Sequence, residues 1–283
     1  MYYIQETDKP SFLLKFFNII NLESNKIILP IKDEIISEKK AEQLAKRTKV
    51  ILDTANCKRI VISKKLKNCK NYINYLYTYQ YEIIDGKWLC EVLANEILDF
   101  IIQKKEMKKQ ETQIDILVND LTEITLNNIR TIIKEYKRVN IITNHIEKFR
   151  KIEKEILEKE GIMITVSNNK KKSLSKSKII LNVDFPTELI NKYNINDNAI
   201  IINLRGNVRI NKKRFNGVNI NDYEIEFDDG EELDDEDKKR YRKTEIYEAK
   251  FYKKTPVKNI KEILEKDNVR IISLKGVNSE IKI

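Results

Sequence analysis

The feature that most constrains the fold is the regular alternation of short apolar segments with amphipathic ones between about residues 111 and 227. Apolar, β-branched runs of five or six residues are typical of buried strands, whereas apolar residues three and four positions apart are typical of helices. The strand candidates are IDILV (114–118), RVNIIT (138–143), IMITVS (162–167), KIILNV (178–183), AIIINL (199–204) and VNINDYEIEF (218–227). The alternation predicts a mostly parallel sheet with helices on both faces.

The segments on either side of this region are expected to form smaller pieces of structure. Residues 1–87 predict a small α/β domain, with strand candidates KIILPI (26–31), RIVISK (59–64) and YEIID (81–85). Residues 88–110 carry one long amphipathic pattern, which predicts a helix joining this domain to a Rossmann-like domain at 111–227. Residues 228–283 are expected to form an acidic loop and an irregular α/β extension. The predicted fold class is therefore α/β with two domains.

The formal net charge of +10 raises the question of a nucleic-acid partner. Lysine mixes with glutamate along most helix candidates, as in KKEMKKQE and FRKIEKEILEKE, which is typical of a solvated helix face. Denser basic clusters occur at 170–176 and 205–214, but aromatic residues do not interleave with them. Nucleic acid therefore stays an alternative partner, and an unidentified protein or small-molecule ligand is expected instead.

Several classes of site and location are disfavoured by simple patterns. The chain has no run of about eighteen apolar residues, and its first residues, MYYIQETDKPSF, lack the layout of a signal peptide, so we expect a cytoplasmic protein without a membrane partner. Cys57, Cys69 and Cys90 match no metal or redox spacing, which predicts buried or semi-buried free thiols. The acidic run from Asp228 to Asp237 lacks the ligand spacing of a calcium loop. No metal is predicted.

The region from Trp88 to Phe227 resembles the NAD(P)-binding Rossmann superfamily. A small α/β domain joined by a long helix to a Rossmann domain is most similar to shikimate dehydrogenase and methylene-tetrahydrofolate dehydrogenase. LPIKD (29–33) resembles part of the lysine-bearing motif of the shikimate enzymes, and IIDGKW (83–88) lies where those enzymes carry an acidic motif. The resemblance would give Lys32 the catalytic lysine role and Asp85 the partner role, with NAD(P) as the cofactor.

The phosphate-binding turn departs from this superfamily. The superfamily's first strand leads into G-x-G-x-x-G, whose glycines let backbone N–H groups approach a pyrophosphate. Here the matching residues are Asn119–Glu123, and none of the six glycines lies within thirty residues of them. Asp120 and Glu123 would repel a diphosphate, whereas Asp120 or Thr122 suits a helix N-cap. No cofactor is therefore predicted, and NAD(P) remains the alternative.

The predicted strands end in polar residues, which the topology should bring to one edge of the sheet. Ligands of open α/β sheets lie at this carboxyl edge, although asparagine and aspartate also start turns. His145 is the only imidazole and hence a candidate for proton transfer. The candidate ligand-binding residues at this edge are Asn119, Asp120, Thr122, Asn144, Asn182, Asp184, Asn203 and Arg205.

Three hypotheses about function follow from these patterns. The first is a Rossmann-like protein that has lost standard dinucleotide binding and has a binding, regulatory or scaffold role. The second is a divergent NAD(P)-dependent oxidoreductase that uses Lys32, Asp85 and His145. The third is a nucleic-acid-associated protein that uses the two basic clusters. The sequence favours the first, because the turn at Asn119–Glu123 leaves no room for a diphosphate.

Overall fold

A computed structural model describes residues 1–9, 11–32, 35–228, 235–252, 255–276 and 280–281. The chain divides into two compact units. Unit 1 comprises Met1–Gly86 and Asp229–Lys254, and unit 2 comprises Lys87–Asp228 and Thr255–Ile283. Among the described residues, no helix is both long enough and apolar enough to cross a bilayer.

The described residues form helices and strands that are numbered here in chain order. The helices are α1 (Phe12–Phe17), α2 (Glu38–Thr54), α3 (Lys70–Thr78), α4 (Lys87–Val92), α5 (Ala94–Lys104), α6 (Glu123–Glu135), α7 (Ile146–Glu160), α8 (Thr187–Ile190), α9 (Asp235–Arg240), α10 (Lys243–Phe251) and α11 (Val257–Lys266). The strands are β1 (Tyr2–Glu6), β2 (Asn21–Glu23), β3 (Lys26–Leu29), β4 (Arg59–Ile62), β5 (Glu82–Ile84), β6 (Gln113–Leu117), β7 (Arg138–Ile142), β8 (Thr165–Ser167), β9 (Ile179–Asn182), β10 (Ile200–Asn203), β11 (Val218–Ile220), β12 (Asp222–Glu226) and β13 (Arg270–Lys275).

Unit 1 is built on a five-stranded sheet in the order β2-β3-β1-β4-β5. The last four strands of this order run parallel, and β2 pairs antiparallel with β3 at one edge. Numbered by themselves, the parallel strands have the doubly wound order 2-1-3-4, so the direction of winding reverses between β1 and β4. The apolar core includes Ile4, Leu44, Ile60 and Tyr72, and a hydrogen bond of 2.8 Å joins the hydroxyls of Tyr72 and Thr48 within it.

Unit 2 contains a six-stranded parallel sheet in the order β11-β10-β9-β6-β7-β8. Numbered from β6, this is the 3-2-1-4-5-6 order of the Rossmann fold, and the direction of winding reverses between β6 and β9. The central strands are buried on both faces, as the β-branched runs of the sequence predict. The predicted α/β class with a Rossmann-like parallel sheet is therefore confirmed.

Two segments differ in detail from the sequence-based expectation. The single helix predicted over 88–110 is two helices, α4 and α5, with Leu93 between them. The predicted last strand at 218–227 divides at Asn221 into β11, which belongs to the parallel sheet, and β12, which pairs with β13. Within the predicted extension, residues 229–234 of the acidic run lie outside the described residues.

The described part of the 228–283 segment is more regular than the sequence pattern indicates. Residues 235–252 form α9 and α10 and belong to unit 1, whereas residues 255–276 form α11 and β13 and belong to unit 2. Cys57, Cys69 and Cys90 are buried free thiols, as predicted.

Candidate functional site

The reversal point of the parallel sheet in unit 2 lies between the carboxyl ends of β6 and β9. The turn at Asn119–Thr122 follows β6, and Val183 and Asp184 follow β9. In Rossmann folds this is where a dinucleotide's pyrophosphate meets the backbone N–H groups of the turn and of the next helix. The hydrogen bonds made by this turn therefore decide what the site can bind.

A carboxylate of the protein itself occupies the turn. Asp184 accepts hydrogen bonds from the backbone N–H of Asn119 at 2.8 Å (Oδ1) and 3.1 Å (Oδ2), and from the N–H of Asp120 at 2.6 Å (Oδ2). Burial raises the pKa of the Asp184 carboxyl, and these N–H donors and the Arg205 charge oppose that rise. The donors that would cradle a phosphate already bind an anion.

The start of α6 is also closed by a side chain of the chain. Thr122 is the N-cap, in extended conformation, and its Oγ1 accepts from the backbone N–H of Thr125 at 3.2 Å. The prediction of an N-cap at this turn is confirmed for Thr122. The acidic Glu123 in the first helical turn complements the helix dipole, and it leaves less favourable potential for an external anion.

An arginine–glutamate pair lies beside this turn. Arg205, which follows β10, donates from Nε to Oε2 of Glu91 at 2.7 Å and from Nη2 to Oε1 at 2.9 Å. Glu91 belongs to α4, and its side chain is only 6% exposed. This two-bond geometry is the strong form of the arginine–carboxylate interaction. The hydrogen bond to Glu91 raises the pKa of Arg205 above its usual value.

The two threonines of the turn complete this cluster. The hydroxyls of Thr122 and Thr125 donate to Oε1 of Glu91 at 3.1 and 2.7 Å. Arg205 Nη2 lies 3.1 and 3.0 Å from the same hydroxyl oxygens, and its Nη1 lies 3.5 Å from Asp120. The sequence pattern identifies Arg205, Thr122 and Asp120 but not Glu91, whose partner lies 114 positions away in the chain.

Asn119 ties the ends of β6 and β7 together. Its Oδ1 accepts from the backbone N–H of Asn144 at 2.9 Å. His145 is exposed and precedes α7 without capping it through its side chain, and its backbone N–H donates to Thr143 Oγ1 at 3.0 Å. The Asn119 side chain therefore joins the ends of β6 and β7, and His145 lies at the surface.

Asn182 and Asn203 belong to a buried asparagine network. Asn182 Nδ2 donates to Asn203 Oδ1 at 2.8 Å, and Asn203 Nδ2 donates to the side chains of Asn219 and Asn221 at 2.8 and 3.2 Å. Asn221 Oδ1 in turn accepts from the backbone N–H of Val208 at 2.7 Å. Both predicted edge residues are 2% exposed, and their amides are hydrogen-bonded within the protein.

The two residues suggested by the shikimate-dehydrogenase resemblance both lie in unit 1. Lys32 and Asp85 are exposed and follow β3 and β5. These strands are separated by β1 and β4, so three strand spacings, roughly 14 Å, lie between the strand ends. The topology does not bring this pair to adjacent strands.

The sheet of unit 1 has its own reversal point, between the ends of β1 and β4. Arg240 donates from Nη1 to the backbone oxygen and to Oε1 of Glu6, at 3.1 and 3.2 Å, and Ser63 Oγ donates to Oε2 of Glu6 at 2.5 Å. Arg240 also pairs with Asp8 and Glu236. Next to this cluster lies a cavity of about 800 Å³ lined by Glu6, Asp8, Lys64, Lys65, Glu236, Lys239 and Arg240.

Comparisons with known proteins add little to this geometry. The sequence matches no protein family and no curated protein. Among solved structures, the chain is similar to L-tryptophan dehydrogenase from Nostoc punctiforme, with 8% identity and a TM-score of 0.34 over 71% of this chain and 62% of that one. D-lactate dehydrogenase from Escherichia coli has 10% identity and a TM-score of 0.32, over 72% and 74%.

A carbamoyltransferase gives a similarity of the same size. Ornithine carbamoyltransferase from Pyrococcus furiosus has 13% identity and a TM-score of 0.30, over 71% of each chain. The Rossmann-like fold of unit 2 follows from its own strand order, and these similarities carry no argument about its activity. Among the described residues, no three His, Cys, Asp or Glu side chains are grouped so that they could hold a metal ion.

Proposed function

We propose that this chain is a non-catalytic, Rossmann-like binding protein with a regulatory or scaffold role, whose dinucleotide site is closed by its own Asp184. The observation that carries the proposal is the pair of backbone N–H groups, from Asn119 and Asp120, that point at the Asp184 carboxylate. In a dinucleotide-binding domain the same donors would contact the pyrophosphate. The internal carboxylate would have to leave before a phosphate could take its place.

The charges around the turn support this proposal. Asp120, Glu123 and Asp184 place three carboxylates at or next to the turn, and only Arg205 among the described residues offsets them directly. Arg205 is already engaged by the buried Glu91. A diphosphate would therefore find the backbone donors already occupied, and the carboxylates would repel its negative charge.

Ion pairs within unit 2 weaken the case for a nucleic-acid partner. The basic cluster at 205–214 includes Arg205, whose charge is compensated by Glu91, and Lys212, which pairs with Asp197 at 2.7 Å. Two of its five basic side chains are thus neutralised within unit 2. A strong phosphate-binding surface would need these charges to be available.

The first test is a fluorescence titration of the full chain with NADH and NADPH. We expect no saturable binding in the micromolar range. Saturable micromolar binding, together with protection of residues 119–125 from hydrogen exchange, would overturn the proposal and favour an oxidoreductase. Binding to DNA or RNA that weakens steeply with salt would instead favour the nucleic-acid alternative.

The second test asks whether Asp184 is what closes the turn. Asp184→Asn removes the charge that holds the two N–H groups, so we expect inorganic pyrophosphate to bind at least about tenfold more tightly to the variant than to the unmodified chain. Glu123→Gln is the matched control, because it removes one negative charge from the same turn without freeing a backbone donor. Equal affinities for the two variants would show that charge alone, and not occupation of the donors, governs the site.

A further inference from the structure

Six of the exposed large apolar side chains among the described residues lie close together in the sequence of unit 1, and we call them the α1 face. It consists of four α1 side chains and two residues that follow the helix, each between 42% and 78% exposed: Phe12, Leu13, Phe16, Phe17, Ile19 and Leu22. The rings of Phe12 and Phe16 stack with centroids 6.1 Å apart, and Phe17 packs edge-on to Phe16 at 5.0 Å. In soluble proteins, clustered exposed apolar side chains are characteristic of interaction surfaces.

The α1 face is held in place by polar contacts at both ends of the helix. Ser11 Oγ accepts from the backbone N–H of Leu14, and Asn18 ends the helix in the left-handed conformation. Arg47 of α2 donates to the carbonyl oxygen of Asn18 at 2.6 Å, and Asn18 Nδ2 donates to Gln43 at 2.8 Å. The patch is therefore presented in one orientation, which lowers the entropic cost of binding.

The chain next to the patch offers a second element for association. Strand β2 lies at the edge of the five-stranded sheet, all three of its residues are exposed, and its one described strand partner is β3. The other side of an edge strand presents unpaired N–H and C=O groups that can pair with a further strand. Leu22 of β2 follows Asn18, the C-cap of α1, by four residues, so the apolar helix leads directly into the edge strand along the chain.

We propose that the α1 face and strand β2 form a two-fold interface with a second copy of this chain. The exposed fractions of the six side chains correspond to roughly 600–700 Å² of apolar-rich surface, given about 150–250 Å² for an aromatic side chain and somewhat less for leucine or isoleucine. Specific interfaces bury about 600–1,000 Å² per partner, so this patch lies within that range. The inference is independent of the function proposed for unit 2.

The charge of this segment favours a second copy over a lipid surface. Between residues 12 and 23 the sequence has one basic residue and one acidic residue, so two copies do not repel one another here despite the net charge of +10. Binding to an anionic membrane requires basic residues around the apolar face. In addition, α1 has six residues and is about 9 Å long, whereas helices that lie in membranes are commonly several times longer.

The test is sedimentation velocity of the full chain over a concentration range on the order of 1–100 μM, which brackets dimers of moderate affinity. We expect a concentration-dependent dimer. The double variant Phe12→Ser/Phe16→Ser should weaken dimerisation more than about tenfold, because buried aromatic anchors dominate interface energies. Leu22→Lys should weaken it by charging the edge strand. Val50→Ser is the matched control, since Val50 of α2 is a similarly exposed apolar residue of unit 1 outside the patch.

The outcomes separate the alternatives. A dimer that is weakened by the patch variants and unchanged by Val50→Ser supports the proposal, with far-UV circular dichroism confirming that each variant is folded. A chain that stays monomeric at the highest concentration overturns it, as does a dimer that the patch variants leave intact. Co-sedimentation of a monomeric chain with vesicles of phosphatidylcholine and phosphatidylglycerol, lost in Phe12→Ser/Phe16→Ser, also overturns it and assigns the patch to a lipid surface.

Discussion

At the carboxyl edges of the parallel strands in the two units, a carboxylate of the protein is held by different kinds of hydrogen-bond donor. In unit 1 the end of β1 carries Glu6, whose carboxylate is held by Arg240 and Ser63. In unit 2 the carboxylate of Asp184 crosses from the end of β9 to the turn after β6 and takes backbone N–H donors. Each edge thus contains a bound anion, and in both cases the anion belongs to the protein.

The two edges differ in the space and the hydrogen-bond donors that they leave for a ligand. In unit 1 an arginine satisfies the carboxylate, and a cavity of about 800 Å³ with basic and acidic side chains remains beside it. In unit 2 the backbone donors themselves are occupied, and the Arg205–Glu91 pair packs against the same turn. Closing the backbone donors removes the feature that defines phosphate binding in this fold, whereas an arginine clamp does not.

The largest loss of stability is expected when Arg240 is substituted. In Arg240→Met, the nearly buried Glu6 carboxylate keeps Ser63 as its one side-chain donor among the described residues. A buried charge left without its partner costs about 3–5 kcal/mol, so hydrogen exchange across β1 and β4 should accelerate by at least about 100-fold. Arg214→Met, at an exposed arginine of unit 2, is the charge-matched control and should leave that exchange unchanged. A small effect of Arg240→Met would mean that this clamp does not stabilise the edge.

A smaller loss is expected for the corresponding arginine of unit 2. Arg205→Met leaves Glu91 with two hydroxyl donors, from Thr122 and Thr125, and these offset part of the lost pair. We expect a cost of about 2–3 kcal/mol, measured as faster hydrogen exchange across β6 and α6. A cost equal to or above that of Arg240→Met would contradict the distinction drawn between the two edges.

The asparagine network should contribute less to stability than either arginine. Asn203→Ala removes the amide that joins Asn182 to Asn219 and Asn221, and leaves buried groups without partners. The expected cost is about 1–3 kcal/mol, read from exchange across β9 and β10. Asn198→Ala, at an exposed asparagine of the same unit, should change stability by less than about 0.5 kcal/mol. Similar values for the two variants would rule out a structural role for the network.

The smallest effect concerns pH. Burial raises the folded-state pKa of Asp184 above the unfolded value, so the folded chain holds this proton more tightly. The resulting stabilisation is present below the ordinary aspartate pKa, about 4, and is lost as pH rises through the raised value. Asp184→Asn removes this dependence, so the stability of the variant relative to the unmodified chain should increase with pH across that window. The measurement is the melting temperature of both proteins at a series of pH values. A constant difference between the two melting temperatures would contradict the prediction.

The sheet of unit 2 could be predicted because each of its main strands is marked by a local sequence pattern. The β-branched runs that became β6, β7, β9 and β10 are flanked by polar turn residues, and alternation with helices implies parallel pairing. The sheet of unit 1 is harder to predict from the sequence. Its strand β1 begins at residue 2 and is followed by the α1 segment, which is apolar and lacks an amphipathic pattern. Its place at the centre of the sheet depends on pairings with β3 and β4 that no local pattern reveals.

The candidate site could be predicted in part for the same reason. Asp184, Thr122 and Arg205 stand at strand ends or helix starts, where local chemistry marks them, and Thr122 is the predicted N-cap. Glu91 lies within the amphipathic sequence pattern of residues 88–110, where a carboxylate ordinarily faces water. Its burial results from an ion pair with a residue 114 positions later, and such a pairing is set by the tertiary fold and not by spacing in the sequence.

The clamp on Glu6 has a consequence for biosynthesis. Arg240 follows Glu6 by 234 positions, so the ribosome releases the acidic strand end long before its counter-charge exists. At about 5–20 residues per second, that interval is on the order of 10–50 seconds. During this interval the Glu6 carboxylate of the nascent first sheet has Ser63 as a donor but no counter-charge, while residues 87–228 emerge and can begin to fold. A ribosome stalled ahead of codon 240 should therefore display an N-terminal sheet that is more readily cleaved by proteases than the sheet of the finished protein.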